Sequence, residues 1–303
     1  VGELTLSWDP PATDPPATDP PATGDATSYS ITMTTAAGSG NSSTTYVTSD
    51  TDYTFTGLSP ANGYSFSVTA SNAEGTSSAA QDSFGQAPIA VGMGPQGLTT
   101  GHDGSIWVAN DNLATVQQIV NDNGVWTPQA TIGVGMGPTV LTTGLDGSIW
   151  VVNQTDKTVQ QIVNDSGVWT AQAPIGVGQS PDALTTGLDG SIWVANYGSN
   201  TVQQIVNDNG VWTAQTAIVV GIKPYALTTG LDGSIWVANY SDNTVQQIVT
   251  DNDVWTAQAA IDVGEEPVAL TTGLDGSIWV ANSGGANSVQ QIVQHNGAWK
   301  AEA

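Results

Sequence analysis

Hydrophobic and polar residues follow a unit that recurs five times along the last two thirds of the chain. Its clearest copy is LTTGLDGSIWVANYGSNTVQQIVNDNGVWTAQ, residues 184–215. One tryptophan marks each copy, and the five marks lie 43 residues apart: Trp107, Trp150, Trp193, Trp236 and Trp279. A period in the forties with turn signals inside it is typical of stacked supersecondary units. The sequence therefore predicts a repeat architecture.

Each copy reads as four short strands. In the third copy the alternation of apolar and polar residues predicts strands over 183–187, 191–196, 201–207 and 211–218. Asp208, Asn209 and Gly210 form a strong hairpin signal between the last two. Four antiparallel strands repeated five times predict an all-β C-terminal domain, a β-propeller of five four-stranded blades. A right-handed solenoid is the alternative, although its repeats are shorter or helical.

The apolar residues of one blade must be covered by the next blade, because a single blade would expose both faces. In the third copy we expect burial of Ile192, Trp193, Val194, Val202, Ile205, Val206, Val211 and Trp212. The chain stops at residues 298–303, part-way along an outer strand, while residues 87–91 resemble the tail of a repeat. The simplest closure has these two segments complete one blade together, which would remove two exposed sheet edges.

The first 84 residues have a different pattern. Runs rich in Thr, Tyr, Val and Phe predict strands of a β-sandwich at 3–8, 28–36, 44–49, 52–58 and 63–72. Three tandem DPPAT units at 9–23 predict an extended, polyproline-like loop. This loop is either an expansion without a role, or a stiff spacer or contact site. We place the domains at 1–84 for the sandwich and 85–303 for the propeller.

The N-terminal region resembles a fibronectin type III domain. The residues that carry the resemblance are Trp8 with the proline pair that follows, and Tyr29, Leu58, Pro60, Tyr64, Val68, Ala70, Asn72 and Gly75. The resemblance implies a spacer or adhesion module without chemistry of its own. It also implies a strand before the one that holds Trp8, and only seven residues precede Trp8. We therefore expect that strand to be missing, or to lie on sequence outside the chain.

Composition narrows the possible partners. The chain has 27 acidic residues, three lysines and no arginine, for a net charge of −24. This charge argues against nucleic acid, which binds proteins through their cations, and against anionic membranes. No cysteine is present, so disulfides and thiolate metal sites are excluded. No apolar run reaches the length of a membrane span. We expect a secreted or cell-surface protein without membrane insertion.

The repeat itself resembles that of the virginiamycin B lyase family and related bacterial propellers, through LTTGLDGSIWVAN and its four companions. The resemblance implies a metal-assisted elimination that uses acidic and histidine side chains in a central channel. Family repeats end the second strand with Trp-x-x-Glu, whereas this chain has asparagine there: Asn110, Asn153, Asn196, Asn239 and Asn282. An amide cannot act as a general base. His102 and His295 both fall in turns, and we expect no enzyme activity.

Candidate binding residues come from comparing the copies. Asp146, Asp189 and Asp232 recur in one turn and could hold Ca²⁺ through oxygen ligands. The same Asp-Gly pairs are also what tight hairpins require, so no cofactor is the simpler expectation. Strand alternation places the two near-invariant turns of each copy on one face and the two variable loops on the other. The variable face holds the proposed ligand-binding residues Tyr197, Asn200, Tyr225, Tyr240, Asp242 and Asn243.

These patterns predict a non-enzymatic extracellular module for adhesion, for binding or for assembly as a filament subunit. A protein or glycan would bind the variable face, or further copies would bind through incomplete sheet edges. The alternatives are a carbohydrate-binding lectin and a lyase-like propeller enzyme.

Overall fold

Strands dominate the protein, as the alternating pattern predicts. The computed structural model describes residues 2–8, 26–37, 40–58, 63–72, 75–77, 80–84, 88–122, 125–252, 254–285 and 287–302. The predicted polyproline-like loop at 9–23 lies outside these ranges. One short 3-10 turn, Asp111–Leu113, is the sole helical element that they contain. Within the described ranges, no helix has the length and apolarity that crossing a membrane requires. The chain separates into two structural units, which are described in turn.

The first unit is a β-sandwich. Its strands are β1 (Gly2–Ser7), β2 (Ser28–Ala37), β3 (Gly40–Thr48), β4 (Asp52–Leu58), β5 (Gly63–Asn72), β6 (Gly75–Thr76) and β7 (Ala80–Phe84). β1 and β4 form one antiparallel sheet. β3, β2, β5 and β6 form the other in that order, with β7 also paired to β5. The first sheet contains only β1 and β4 in the described residues, so the strand that the fibronectin resemblance implies before β1 has no counterpart there.

Alternate residues of the sandwich strands point inwards and form its core. Ile31, Phe55, Leu58, Tyr64 and Phe66 are buried together. The rings of Phe55 and Phe66 lie 5.0 Å apart. Burying aromatic side chains of this size dominates the stability of a small core.

The second unit consists of five antiparallel sheets, one for each sequence repeat. The first two sheets contain β8 (Pro95–Thr100), β9 (Ile106–Asn110), β10 (Thr115–Asp122), β11 (Val125–Gly133), β12 (Pro138–Thr143), β13 (Ile149–Asn153), β14 (Thr158–Asp165), β15 (Val168–Ala171) and β16 (Ile175–Gly176). The third and fourth contain β17 (Pro181–Thr186), β18 (Ile192–Asn196), β19 (Thr201–Asp208), β20 (Val211–Ala214), β21 (Ile218–Val219), β22 (Pro224–Thr229), β23 (Ile235–Asn239), β24 (Thr244–Asp251), β25 (Val254–Ala257) and β26 (Ile261–Asp262). The fifth contains β27 (Pro267–Thr272), β28 (Ile278–Asn282), β29 (Ser288–His295) and β30 (Ala298–Ala301). The all-β fold class predicted from the sequence is confirmed, and these sheets are arranged as blades of a β-propeller. The total of five blades stays a prediction.

The fourth strand of the repeat is shorter than predicted. The expected strand at 211–218 is divided into β20 and β21, and both pair with β19. Between them the amide of Gln215 donates to the carbonyl of Gln204 at 2.7 Å. The side chain of Gln203 donates to the carbonyl of Gln215 at 3.1 Å. A side chain thus replaces the ladder partner at this point, which interrupts the strand without leaving the Gln215 carbonyl unpaired.

The first strand of each blade is innermost, and neighbouring inner strands pack against each other. Threonine hydroxyls join them: Thr142 and Thr186 lie 3.3 Å apart, and Thr186 also donates to the carbonyl of Thr143 at 2.9 Å. The same bonds recur along the series to Thr272.

Tryptophans fill the space between blades. The second-strand tryptophan of one blade meets the fourth-strand tryptophan of the next, with ring centroids 4.7 Å apart for Trp150–Trp212 and Trp193–Trp255. Of the third copy's expected core, Ile192, Trp193, Val194, Val202 and Ile205 are fully buried. Val211 is wrongly predicted, since it is 62% exposed beside the hairpin turn. Val206 and Trp212 are partly buried.

The predicted sharing of one blade between the two ends of the domain is wrong for the described residues. Residues 88–91 form no strand, and β27–β30 make up the fifth sheet without them. The inner strands β8 and β27 also lack the packing that joins every neighbouring pair.

Candidate functional site

The two ends of each blade carry different connections, and this separates two faces of the propeller. The turn face carries the Asp-Gly turns and the hairpins between third and fourth strands. The loop face carries the loops between second and third strands and the lead-in segments before each inner strand. The two kinds of connection on the loop face bind each other directly. Tyr197 N donates to the carbonyl of Ser180 at 3.0 Å, and Gly198 N to that of Gln179 at 2.9 Å.

Three of the predicted ligand-binding residues brace these loops. The carboxylate of Asp242 accepts from Ile222 N at 2.6 Å. The amide oxygen of Asn200 accepts from Lys223 N, and that of Asn243 accepts from the backbone of the next lead-in segment, both at 2.9 Å. These side-chain oxygens accept backbone hydrogen bonds that hold the loops of this face in place. They therefore have fewer lone pairs left to accept hydrogen bonds from a ligand.

The three predicted tyrosines lie together. Tyr225, from inner strand β22, stands between Tyr197 of the preceding blade and Tyr240 of its own blade. The ring centroids are 6.2 Å apart for Tyr197–Tyr225 and 5.8 Å for Tyr225–Tyr240. Tyr225 is 41% exposed, and the other two are partly exposed. We call these three residues the tyrosine patch.

Two charged residues border the tyrosine patch and were not singled out from the sequence. Lys223 places its Nζ 5.5 Å from the ring centroid of Tyr197. Glu266 accepts a hydrogen bond from the Tyr240 hydroxyl. The pKa of Tyr240 is raised by desolvation first, and then by this bond and the negative charge of Glu266. Both residues directly precede the proline of a lead-in segment. The copies differ at this position, and that difference between copies could have identified both residues from the sequence.

A half-buried carboxylate lies at the start of the neighbouring inner strand. Asp182 follows the strand's proline, as Tyr225 does one blade later. Gln154 Nε2 donates to Asp182 Oδ1 at 2.7 Å. Burial raises the pKa of Asp182, and the bond from Gln154 opposes that rise.

The calcium candidates stabilise hairpins of the turn face. Asp189 Oδ1 accepts from Ser191 N at 3.0 Å and from the Ser191 hydroxyl, and its Oδ2 accepts from Gln204 at 3.3 Å. The Ser191 hydroxyl accepts from the indole of Trp193 at 3.0 Å. Asp146 and Asp232 make the same bonds. Both oxygens of each carboxylate are thus engaged within the protein. Among the described residues, no group of three or more His, Cys, Asp or Glu side chains is placed so that it could hold a metal ion.

Two cavities open between blades on this turn face. One of about 440 Å³ lies between the fourth and fifth blades and is lined by Asp232, Asp275 and Trp299. The other, of about 520 Å³, lies between the third and fourth blades and is lined by Asp189, Asp232 and Trp255. Their linings consist mainly of the near-invariant residues of the repeat, so they reflect the spacing between blades.

The asparagines that end the second strands are buried. Asn196 Nδ2 donates to Thr201 Oγ1 at 3.2 Å and to Gln203 Oε1 at 3.0 Å. Gln203 cannot turn, because its Oε1 also accepts from Gly178 N and its Nε2 donates to the carbonyl of Gln215. This fixes the orientation of the Asn196 amide and leaves its Oδ1 buried without a hydrogen-bond partner among the described residues. The equivalent oxygens of the other four blades share this state: Asn110, Asn153, Asn239 and Asn282.

The two histidines belong to the turn face. His102 is exposed and lies beside Gly147 of the next blade. His295 pairs with Glu302, with 2.6 Å between Nε2 and Oε1, and both side chains are about half exposed. Neither histidine is joined to a second acidic group in the described part of the chain.

Comparison with known proteins agrees with this architecture. Residues 83–299 match the virginiamycin B lyase family, and residues 2–86 match the fibronectin type III domain. A search of curated proteins returned no match.

Three solved structures illustrate the fold. Virginiamycin B lyase from Staphylococcus aureus is 19% identical over 69% of this chain and 70% of that chain, with a TM-score of 0.55. A protein from Lactobacillus plantarum is 14% identical over 91% and 82%, with a TM-score of 0.63. A functionally unknown protein from Desulfotomaculum acetoxidans is 16% identical over 79% and 75%, with a TM-score of 0.62. At these identities the likeness shows the fold alone.

Proposed function

The chain belongs to the virginiamycin B lyase family, and we propose that its propeller is a non-enzymatic binding module whose ligand contacts the tyrosine patch. One observation carries the proposal. The turn face repeats nearly the same residues in every blade, whereas the loop face varies and gathers three partly exposed tyrosines on two adjacent blades. Recognition residues are commonly placed on loops that a rigid scaffold positions.

A glycan is the ligand that this chemistry favours. Each tyrosine presents an apolar ring face for the C–H side of a sugar and a hydroxyl for its polar edge. Lys223 adds a cationic donor beside Tyr197, and Glu266 adds an acceptor beside Tyr240. A small number of precisely placed polar groups around an aromatic surface is characteristic of small-molecule sites.

The second-strand asparagines support a non-enzymatic role. They occupy the position where the resemblance to the lyase family implies glutamate, and a neutral amide neither takes up nor releases a proton at neutral pH. Incubation of the 303-residue chain with a cyclic depsipeptide and Mg²⁺ should leave the ring closed. Ring opening, detected by chromatography and mass spectrometry of the product, would refute the non-enzymatic proposal.

We place this activity outside the cell. A fibronectin type III domain beside a binding propeller suits adhesion, and the net charge of −24 with no cysteine suits a soluble surface in a salty medium. Mild proteolysis of intact producing cells should degrade the protein if it is displayed on the surface. Recovery from the culture medium would indicate secretion, and retention inside the cells would contradict the proposal.

A glycan array with matched variants tests the binding site. Tyr225→Ala removes the central ring, and Leu188→Ala removes a side chain that is 60% exposed on the turn face. We expect Tyr225→Ala to weaken binding by about tenfold or more, as for a central aromatic contact. Leu188→Ala should bind as the wild type does. If no sugar binds, or if both variants bind equally, the glycan proposal fails and a protein ligand becomes the next candidate.

A further inference from the structure

Asp182 has the same place in the third blade as Tyr225 has in the fourth. The pairing of β17 with β18 skips Asp182, which is therefore the extra residue of a β-bulge. The pairing of β22 with β23 skips Tyr225 in the same way. A bulge redirects a side chain, and bulges are over-represented beside functional sites. The two blades therefore present Asp182 and Tyr225 alike.

Each of these bulge residues contacts the preceding blade through the residue that follows its second-strand asparagine. For Asp182 that residue is Gln154, whose Nε2 lies 2.7 Å from Asp182 Oδ1. For Tyr225 it is Tyr197, with 6.2 Å between the ring centroids. The contacts between blades therefore follow one rule, and Asp182 continues the row of side chains that contains the tyrosine patch.

Asp182 also borders the tyrosine patch within its own blade. In the fourth blade the rings of Tyr225 and Tyr240 lie 5.8 Å apart. Tyr197 is the counterpart of Tyr240, since the backbone amide of each donates to the carbonyl of the residue before the inner strand's proline, at 3.0 Å and 2.9 Å. Asp182 is likewise the counterpart of Tyr225. Asp182 therefore lies beside Tyr197 and extends the tyrosine patch by one blade.

The carboxylate of Asp182 has an acceptor to spare. Its Oδ1 accepts from Gln154, and its Oδ2 accepts no hydrogen bond from the described residues. Burial raises the pKa of Asp182 and the bond from Gln154 lowers it, and no lysine contributes to the balance. Acidic side chains are seldom buried without a charged partner. A carboxylate that the folded protein keeps partly desolvated without a cation is a candidate for binding one from outside.

The tyrosines beside Asp182 suit a cation as well. The face of a tyrosine ring attracts an ammonium group that lies within about 6 Å of its centroid. Lys223 makes this contact with Tyr197 at 5.5 Å, and no cation of the described chain lies over Tyr225 or Tyr240. The net charge of −24 draws cations towards the protein. Because Lys223 repels a second cation, the charged group of a ligand belongs at Asp182 and its uncharged part beside Lys223.

We propose that the ligand of the tyrosine patch is a glycan with free amino groups, and that Asp182 is the specificity-determining residue that binds one of them. This inference rests on the binding role proposed above. The Oδ2 atom of Asp182 accepts a hydrogen bond from the sugar ammonium, while sugar rings lie on Tyr225 and Tyr240. A charge-assisted hydrogen bond is stronger than a neutral one, and partial burial reduces its screening by water. An N-acetylated sugar lacks the charge, so Asp182 distinguishes the two forms.

A pair of oligosaccharides that differ only in this charge tests the proposal. Isothermal titration calorimetry compares a β-1,4-linked glucosamine tetramer with its N-acetylated form on the 303-residue chain, at a pH where the amines are protonated. We expect the amino form to bind about tenfold tighter or more, since a hydrogen bond to a charged group contributes about 1.5–3 kcal/mol. Added salt should weaken the amino form and leave the acetylated form nearly unchanged.

Two variants with the same change of charge separate Asp182 from the general acidity of the protein. Asp182→Asn keeps an oxygen that can accept from Gln154, and it should remove the preference for the amino form while the acetylated form still binds. Its melting temperature should not fall, which separates lost binding from lost folding. Asp208→Asn, at an exposed position in a turn-face hairpin, should keep the preference of the wild type.

Three results would overturn the inference. Equal binding of the two tetramers by the wild type would show that charge is not read, and the glycan proposal would stand without it. Equal loss of preference in Asp182→Asn and Asp208→Asn would show attraction by net charge alone. Tighter binding of a trilysine peptide, lost in Asp182→Asn, would show that the ammonium belongs to a protein. If neither tetramer binds and the glycan array is blank as well, the proposed function fails together with this inference.

Discussion

The buried asparagines provide the sharpest test of how the blades hold together. Asn196→Asp changes one NH₂ group to oxygen at a side chain that is fully buried. Gln203 must keep its Oε1 towards position 196, since backbone groups of Gly178 and Gln215 hold both ends of its amide. The new carboxylate therefore faces an acceptor where the wild type has a donor. The Thr201 hydroxyl can rotate to donate, but Gln203 cannot.

The size of the effect follows from these contacts. An unsatisfied buried group costs about 1–3 kcal/mol, and an unpaired buried charge costs more. We expect Asn196→Asp to lower the free energy of unfolding by about 3 kcal/mol at about pH 7, and the melting temperature of a domain of this size by about 6–12 °C. The folded state raises the pKa of the new carboxyl above its unfolded value, because burial disfavours the charge. The loss is therefore largest above the folded pKa and shrinks as the pH falls towards about 4.

Thermal unfolding followed by tryptophan fluorescence at about pH 7 and about pH 4 measures both effects. Asn207→Asp is the matched control: it adds the same charge at an exposed position, and its carboxylate can still accept from Gly210 N, as Asn207 Oδ1 does at 2.7 Å. The control should melt within about 1 °C of the wild type, as surface substitutions usually do. If Asn196→Asp melts like the control at neutral pH, or keeps its full deficit at acid pH, the hydrogen-bond argument is wrong.

Three further predictions follow from the site and the core. Trp193→Ala should cost about 3–5 kcal/mol in urea unfolding of dilute protein, and Trp279→Ala, at a partly exposed tryptophan without a ring partner in the described chain, about 1 kcal/mol; equal costs would contradict the difference between the two environments. Asp182→Asn should raise the melting temperature at neutral pH, because burial raises the pKa of Asp182 and penalises its charged form, and the gain should vanish in acid, where the wild-type carboxyl is protonated in both states. Glu266→Gln should lower the pKa of Tyr240, measured by ultraviolet difference titration, because it removes the negative charge that opposes ionisation; an unchanged titration would show that Glu266 does not act on this phenol.

Repetition made most of the fold predictable from the sequence. Five copies of one pattern fix the strand order, the Asp-Gly turns and the buried tryptophans, because any single-copy ambiguity is resolved by the other four. Within a copy, the ends of the strands were harder to predict than their order. The break after Val211–Ala214 could not be foreseen, because it depends on the Gln203 side chain reaching the carbonyl of Gln215. Nothing in the local sequence at 215–217 distinguishes a continued strand from this substitution.

The binding site was predictable in outline. Comparing the variable loops selected all three tyrosines, and the structure brings them together. The same comparison could not separate loop braces from free polar groups. Asn200 and Asn243 read as recognition residues in the sequence, yet each adopts a left-handed conformation and accepts a backbone hydrogen bond from the next lead-in segment. Asparagine tolerates that conformation better than most residues, which is a structural reason for its presence there.

The fifth blade shows where residue identity and environment separate. Trp279, Leu274 and Val289 repeat the residues of the preceding blades, so their sequence predicts burial, but they are exposed. The loop face of the same copies has diverged in almost every lead-in segment. Residue identity at these positions follows the repeat, but burial of the second-strand tryptophan also requires the fourth-strand tryptophan of a following blade. Trp299 provides that contact for Trp236, and Trp279 has no such ring partner among the described residues.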